Sequence, residues 1–554
     1  MTAWSYSLSP FPATGLLNTQ ATTAPRAILV LAAAIALTLL APQLDFVPIW
    51  DGWAYAECAV DVATNRFALY FLRCYNHPAY VYSGFLGAAQ LLDVGNPVLL
   101  FLVNALVLAA ATVGFHRLMR RAFPGEGHET DIALLTSAFL LQPAFLASVI
   151  QPGLDLPVLA GTVWCTVLIL ERRWFWCAAV GMAAAFSKET GLLLYGVLLG
   201  CSILWLLART PGPLATRLRA LIPLAPTIVP IVAYAGYVLV FSIFRAGQSP
   251  VWNTGGKLPF VVKLITNGMD PATASYLAML FVLNFAWVPS AWVVADAAVG
   301  LLGLARRRSA RGLPGADRAV IGFLTLAAVA TLITLTRFIT YSNVRYLMAG
   351  TALLLGVGYV ALVRLHLRSD VRRVVLGTYA ALLAVSAIRT VDPVSRWLWG
   401  TFPFGSHQML DMTSITGECC GAGRDQLVYS LEFTRLHDLT DSVVTTLLRD
   451  TATAIGVPSG MRYLTVGRID RTAWKRTLRR EGAFEPKVMT GPAVGIGEPP
   501  RSLLYIAMPN AKDSTSLADL SSLYDVAPER RFEASGYSVS AYQMTLKSGV
   551  RGAP

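Results

Sequence analysis

Three carboxylates, Asp51, Glu57 and Asp61, stand among Trp50, Trp53 and Tyr55 in the stretch "PIWDGWAYAECAVD". A carboxylate beside aromatic rings, close to low-dielectric material, holds its proton to higher pH than usual and can act as a base near neutrality. The plainer reading makes these residues solvated loop acids in front of an interfacial aromatic belt. Asp45 is a second candidate base. Further along, "NHPAYVY" supplies His77, "FSKETG" supplies Lys188 and Glu189, and "YSNVRYL" supplies Arg345 and Tyr346. Taken singly, a cation at the end of an apolar helix is a snorkelling anchor. Taken together, one acidic loop and two cations suit a substrate whose phosphate lies at lipid-headgroup level. The cations would hold that phosphate and stabilise its charge as it leaves. The carboxylate would deprotonate an incoming hydroxyl or amine.

Other residues admit two readings. His77 is either a ligand for a divalent metal, with Asp51 or Glu57, or a hydrogen-bonded loop residue before a proline. Asp155, opening "DLPVLAGTVW", is expected as a helix cap or dipole partner ahead of any catalytic role. The loop "AGQSPVWNTGGKLPF" is either a glycine-hinged cover, with Trp252 and Lys257 touching an acceptor, or a linker. Its "TGGK" lacks the spacing of a phosphate-binding P-loop. Cys165, Cys177 and Cys201 lie in apolar runs and are expected to be inert packing residues. Cys58 and Cys74 share one loop and would bridge if that loop is extracytoplasmic.

The elements that must position these residues are membrane helices. Hydrophobic residues make up 55% of the chain and charged ones 14%, against about a quarter charged in a soluble protein. Apolar runs long enough to cross a bilayer recur from Ala27 to Ile388. They predict about eleven spanning helices, roughly 26–44, 97–115, 132–150, 155–171, 174–187, 190–208, 220–244, 274–304, 319–336, 346–363 and 373–390. The shorter apolar stretch Pro78 to Leu92 is expected to lie at the interface. The first run is an uncleaved signal anchor or, less readily, a cleaved signal peptide.

The net charge of +13 does not point to nucleic acid. The arginines sit in short loops between apolar runs, with no Lys/Arg stripe interleaved with aromatics. Alternate loops carry Arg117, Arg120 and Arg121, then Arg172 and Arg173, then Arg306, Arg307 and Arg308, then Arg372 and Arg373, and so face the cytoplasm. The loops holding Asp51, "QPGLD", "SKETG" and "TYSNVRY" then face outward. The domains expected are a polar tail over 1–25, a transmembrane domain over 26–390 with its first outer loop at 45–96, and a small extracytoplasmic α/β domain over 391–554. In that last domain "RYLTVGRI", "SLLYIAM" and "SVSAYQMTL" read as strands, while "SLADLSSLYDV" and "TAWKRTLRREG" read as helices.

The motifs carry a resemblance. "WDGWAYAECA" resembles the Asp-Glu-x-x-Tyr-Ala motif in the first outer loop of GT-C glycosyltransferases, the aminoarabinose and protein O-mannosyltransferase-like enzymes. "NHPAYVYSGFLGAAQLL", "QPGLDLPVLAGTVW", "GMAAAFSKETGLLL" and "NVRYLMAGTALLL" resemble the segments that follow it, in family order over roughly residues 27–365. Gly52, Ala79 and Ala349 depart from the pattern, standing where an acid and two prolines are usual. The resemblance implies that Asp51 is the catalytic base and that Lys188 and Arg345 contact a donor phosphate, with Tyr346 beside them. Tyr55, Glu57 and His77 are the remaining substrate-binding candidates. It calls for no fixed cofactor and leaves a divalent metal open.

The function expected is a multi-pass glycosyltransferase of the plasma or inner membrane. It would move a sugar from a polyprenyl-phosphate donor to a glycan, lipid or protein acceptor outside the cytoplasm. The alternative is a transporter or flippase for a lipid-linked or small solute. That reading asks for charges near the bilayer midplane and two related halves, whereas the helix interiors are nearly free of charge and no halves repeat.

Overall fold

Asn96 starts the longest helix among the described residues. Its side chain accepts from Val98 N at 3.0 Å and Pro97 takes the first helical position, where a missing N–H costs nothing. The helix ends after Arg120 and Arg121, cations that suit its negative C-terminal pole. The computed structural model describes residues 23–44, 48, 51–64, 79–150, 152–244, 286–305, 316–338, 344–387 and, in the C-terminal part, 401–404, 407–411, 439, 442–443, 446–447, 453–457, 488–490, 499–507, 517–534 and 537–549.

The helices run α1 (Thr23–Leu40), α2 (Asp51–Thr64), α3 (Tyr80–Gln90), α4 (Pro97–Ala122), α5 (Glu129–Leu140), α6 (Pro143–Ile150), α7 (Asp155–Leu170), α8 (Trp174–Ala185), α9 (Glu189–Arg209), α10 (Leu214–Arg219), α11 (Val229–Phe244), α12 (Trp287–Ala305), α13 (Arg318–Phe338), α14 (Met348–Arg364) and α15 (Ser369–Ser386). Among the described residues, six helices are long and apolar enough to cross a membrane, or seven if the bent pair α5–α6 is one span. Eleven were expected. Apolarity along the sequence does not register where a run breaks or stops short. The chain bends by 49° between α5 and α6, where Pro143 follows Gln142 and Gln142 Nε2 donates to the Tyr379 hydroxyl at 3.1 Å. The apolar helices α7 and α8 have only 16 and 12 residues.

α7 is the hub, with α4, α8, α9 and α14 packed around it. Its Leu156, Leu159 and Val163 are fully buried in one large apolar cluster with Phe115, Phe139 and Leu353. Chain crossings rely on glycine at two places that matter for the site. A Cβ on Gly191 would lie 2.1 Å from the Ala184 carbonyl oxygen, and one on Gly87 would lie 2.7 Å from Val62 Cγ1. Gly191 lets α8 turn sharply into α9, and Gly87 lets α3 press against α2. α3 and the turn after it leave Phe85, Leu91 and Leu92 exposed, the apolar side an interfacial helix would turn to lipid.

At one end of the bundle, Asp131 is fully buried between Arg372 and Arg373. Arg372 Nε bonds Asp131 Oδ2, and Arg373 Nε lies 3.5 Å from Oδ1. The Tyr359 hydroxyl donates to Asp131 at 3.2 Å and meets His128 Nδ1 at 2.8 Å. This cluster ties α5, α14 and α15 at the arginine-rich end.

After α15 the described elements are mostly strands. β1 (Thr401–Phe404) and β2 (His407–Asp411) form a hairpin. β3 (Ala454–Val457), β4 (Val488–Thr490), β5 (Ser502–Ala507), β6 (Tyr524–Val526), β7 (Arg530–Ala534) and β8 (Tyr537–Leu546) form a mixed sheet. Its order is β4-β3-β5-β8-β6, with β7 also on β8. β3 is parallel to β4 and β5, and β8 is antiparallel to β5, β6 and β7. "SLLYIAM" and "SVSAYQMTL" are strands as expected. "SLADLSSLYDV" is helical only over α16 (Leu517–Leu523), because Tyr524 and Val526 leave the helix to pair with Leu546 and Met544. "RYLTVGRI" and "TAWKRTLRREG" lie outside the described residues.

Candidate active site

Three helix beginnings meet. Asp155 is the first residue of α7, Lys188 stands immediately before α9, and Arg345 lies in the 3-10 turn Val344–Leu347 that leads into α14. Lys188 Nζ donates to Asp155 Oδ1 at 2.8 Å, and Arg345 Nε lies 3.4 Å from Asp155 Oδ2. Tyr346 closes the group. Its ring centroid is 4.2 Å from Lys188 Nζ and 5.2 Å from Arg345 Cζ, and its hydroxyl accepts from Arg345 Nη2 at 3.4 Å. Asp155, Lys188 and Arg345 are 6%, 5% and 7% exposed, so this is a buried polar centre and not a set of surface anchors.

Local structure explains why the charges are held here. A lysine just before a helix faces the positive pole of that helix, an unfavourable place for a cation. Its backbone is extended (φ −163°, ψ 148°) and it makes no side-chain cap. Asp155 offsets the cost. Its carboxylate does more than meet its own helix dipole, since it is the shared anion of both cations. Sequence reasoning put the cap or dipole role ahead of a catalytic one, because an acid in the first turn has a sufficient local explanation. The signal that would have found it is charge balance: two outward cations in an oily chain need an anion nearby.

The helix that carries Asp51 is brought to this centre by packing. Tyr55 and Ala56 of α2 pack in a cluster with Tyr82, Leu100 and Leu154, the residue before Asp155. Val81 N donates to the Phe186 carbonyl at 3.0 Å, which ties the start of α3 to the segment before Lys188. Asn104 links Tyr82 to Val149, accepting from the Tyr82 hydroxyl and donating to the Val149 carbonyl at 2.9 Å. Asp51 opens α2, four residues before Tyr55 and so on the same helix face. The placement of its side chain lies outside what the structure describes, and so does His77. Tyr55 is half-buried and Glu57 exposed. Cys58 is disulfide-bonded, whereas Cys165, Cys177 and Cys201 are free and buried as expected. The loop with Trp252 and Lys257 is also outside the described residues.

Among the described residues no three of His, Cys, Asp and Glu gather closely enough to hold a metal ion. The two cations that meet at Asp155 suit an anion.

No protein-family model and no curated protein matches the chain. Two solved structures are similar to it, both of ArnT from Cupriavidus metallidurans, one bound to undecaprenyl phosphate and one in the apo state. They are 13% and 14% identical to the chain, cover 95% and 96% of it and 99% of their own length, and have a TM-score of 0.41 each. A likeness at this level assigns no residue and no reaction, so the functional reading stands on the chain's own geometry.

Proposed function

We propose that the chain is an integral membrane glycosyltransferase that takes a sugar from a polyprenyl-phosphate donor and passes it to an acceptor outside the cytoplasm. One observation carries the reading: Lys188 and Arg345 meet on Asp155, buried, where three helices begin. Two cations and the starts of three helices come together at one place, and helix N-termini add positive partial charge. Such a place suits an anionic headgroup.

Lys188 and Arg345 grip the donor phosphate and neutralise it as its bond to the sugar breaks. Tyr346 keeps both cations in place through its ring face. Asp155 pre-positions them before the donor arrives. Asp51 takes the proton of the acceptor hydroxyl or amine, which attacks the anomeric carbon in a direct displacement. The alternating arginine-rich loops and the Cys58 disulfide, a bond that persists in oxidising compartments, support an outward-facing site. The C-terminal domain would lie on that same side and contribute to acceptor binding.

The test uses purified protein in lipid nanodiscs with radiolabelled polyprenyl-phosphate sugars. The wild type is expected to release label from the lipid. The Asp51→Asn variant, equally folded, is expected to leave it bound. Normal turnover by Asp51→Asn removes Asp51 as the base. Label that stays on its lipid but crosses a liposome bilayer with the wild type would favour the transporter instead.

A further inference from the structure

An aromatic cluster stands beside the cation centre and has no part in the mechanism above. It is built from Tyr80 at the start of α3, Phe186 just after α8, and Tyr234 and Tyr237 on one face of α11. Phe186 lies 5.7 Å from both tyrosine rings of α11, those two rings are 5.9 Å apart, and Tyr80 meets Tyr237 edge-on at 5.5 Å. The Tyr80 and Tyr237 hydroxyls are 3.1 Å apart. Tyr234 is 5% exposed, and among the described residues its hydroxyl has no hydrogen-bond partner.

A buried hydroxyl without a partner is disfavoured, and phenylalanine would pack the same ring without that cost. The hydroxyl therefore calls for a partner that arrives with a ligand. Phe186 and Lys188 are two residues apart, so their Cα atoms lie within about 7 Å, the scale of one sugar ring. Glu189 follows Lys188 as the first residue of α9. Aromatic walls with a few placed polar groups are how small polar ligands are oriented. A prenyl chain brings no hydroxyl, and the phosphate belongs to Lys188 and Arg345. The acceptor is assigned to Asp51, and the donor's sugar is joined directly to the phosphate, within one ring of Lys188.

We infer that Tyr80, Phe186, Tyr234 and Tyr237 form the subsite for the donor's sugar ring, with the Tyr234 hydroxyl bonding a sugar hydroxyl. This rests on the transferase reading above.

The experiment measures binding of undecaprenyl phosphate, bare and carrying arabinose, glucose, galactose or mannose, to the full chain and to Tyr234→Phe in nanodiscs. The wild type is expected to bind at least one glycosylated lipid more tightly than the bare one. Tyr234→Phe is expected to weaken that lipid roughly three- to tenfold, the loss of one neutral hydrogen bond. It should leave the bare lipid unchanged, and the empty variant should be at least as heat-stable as the wild type. If the wild type binds bare and glycosylated lipids equally, or if Tyr234→Phe loses heat stability but no donor affinity, the subsite is overturned while the phosphate centre stands. If the wild type binds none of the lipids, the transferase reading fails with it.

Discussion

Asp155 shows how much one side chain does when two cations share it. Replacing it by asparagine keeps the shape but leaves Lys188 and Arg345 buried without their common anion. Breaking a buried pair in this way costs about 3–5 kcal/mol, and thermal unfolding of the empty Asp155→Asn variant should show it. Adding undecaprenyl phosphate should recover part of the loss, because a ligand that binds the folded state stabilises it. An empty variant as stable as the wild type would mean that Asp155 does not hold the cations. Lys188 and Arg345 were legible in the sequence, since charge at the edge of an apolar run is rare enough to stand out. Asp155 was not, because its place at a helix start already accounted for it. Tyr234 was not legible either, as one more aromatic in an apolar helix.

The α8–α9 turn, the element that aims Lys188, depends on close backbone approach. Lys188 N donates to the Ala184 carbonyl at 3.2 Å and Gly191 N donates to the Lys188 carbonyl at 2.8 Å. A Cβ on Gly191 would strike that same Ala184 carbonyl, and backbone cannot step aside as a flexible side chain can. Gly191→Val should therefore cost about 1–3 kcal/mol of stability, the usual range for overpacking, measured by thermal unfolding. It should also weaken donor binding through a misplaced Lys188. Donor binding equal to wild type would show that the turn does not set the lysine. The apolar runs announced helices at each expected place where residues are described. Helix length was less legible. Composition is blind to a bend such as that at Gln142–Pro143, and a 12-residue apolar helix reads much like part of a longer one.

Across the whole molecule, two buried polar clusters sit at different ends of α14. Fourteen residues separate Arg345 from Tyr359, so the Asp155 centre and the Asp131 cluster lie about 21 Å apart along the helix at 1.5 Å per residue. Buried Ala352, Leu353 and Leu355 fill the span between them. Arg372→Met removes the close partner of fully buried Asp131 and should cost about 3–5 kcal/mol in thermal unfolding, with donor affinity in the surviving folded protein unchanged. Coupled loss of donor affinity would show that the two ends communicate. The membrane class could be read from the apolar runs, and arginine placement in the short loops predicts its sidedness. The mixed sheet of the C-terminal part was legible only where a run alternates long enough to be a strand, as in β5 and β8.

The most direct test of the central claim is equilibrium binding of undecaprenyl phosphate to the purified chain in nanodiscs, wild type against Lys188→Met/Arg345→Met. Removing both charged donors should weaken binding at least about a hundredfold, each charge-assisted contact being worth roughly 1.5–3 kcal/mol. A folded double variant that binds the lipid phosphate as tightly as the wild type would contradict the account.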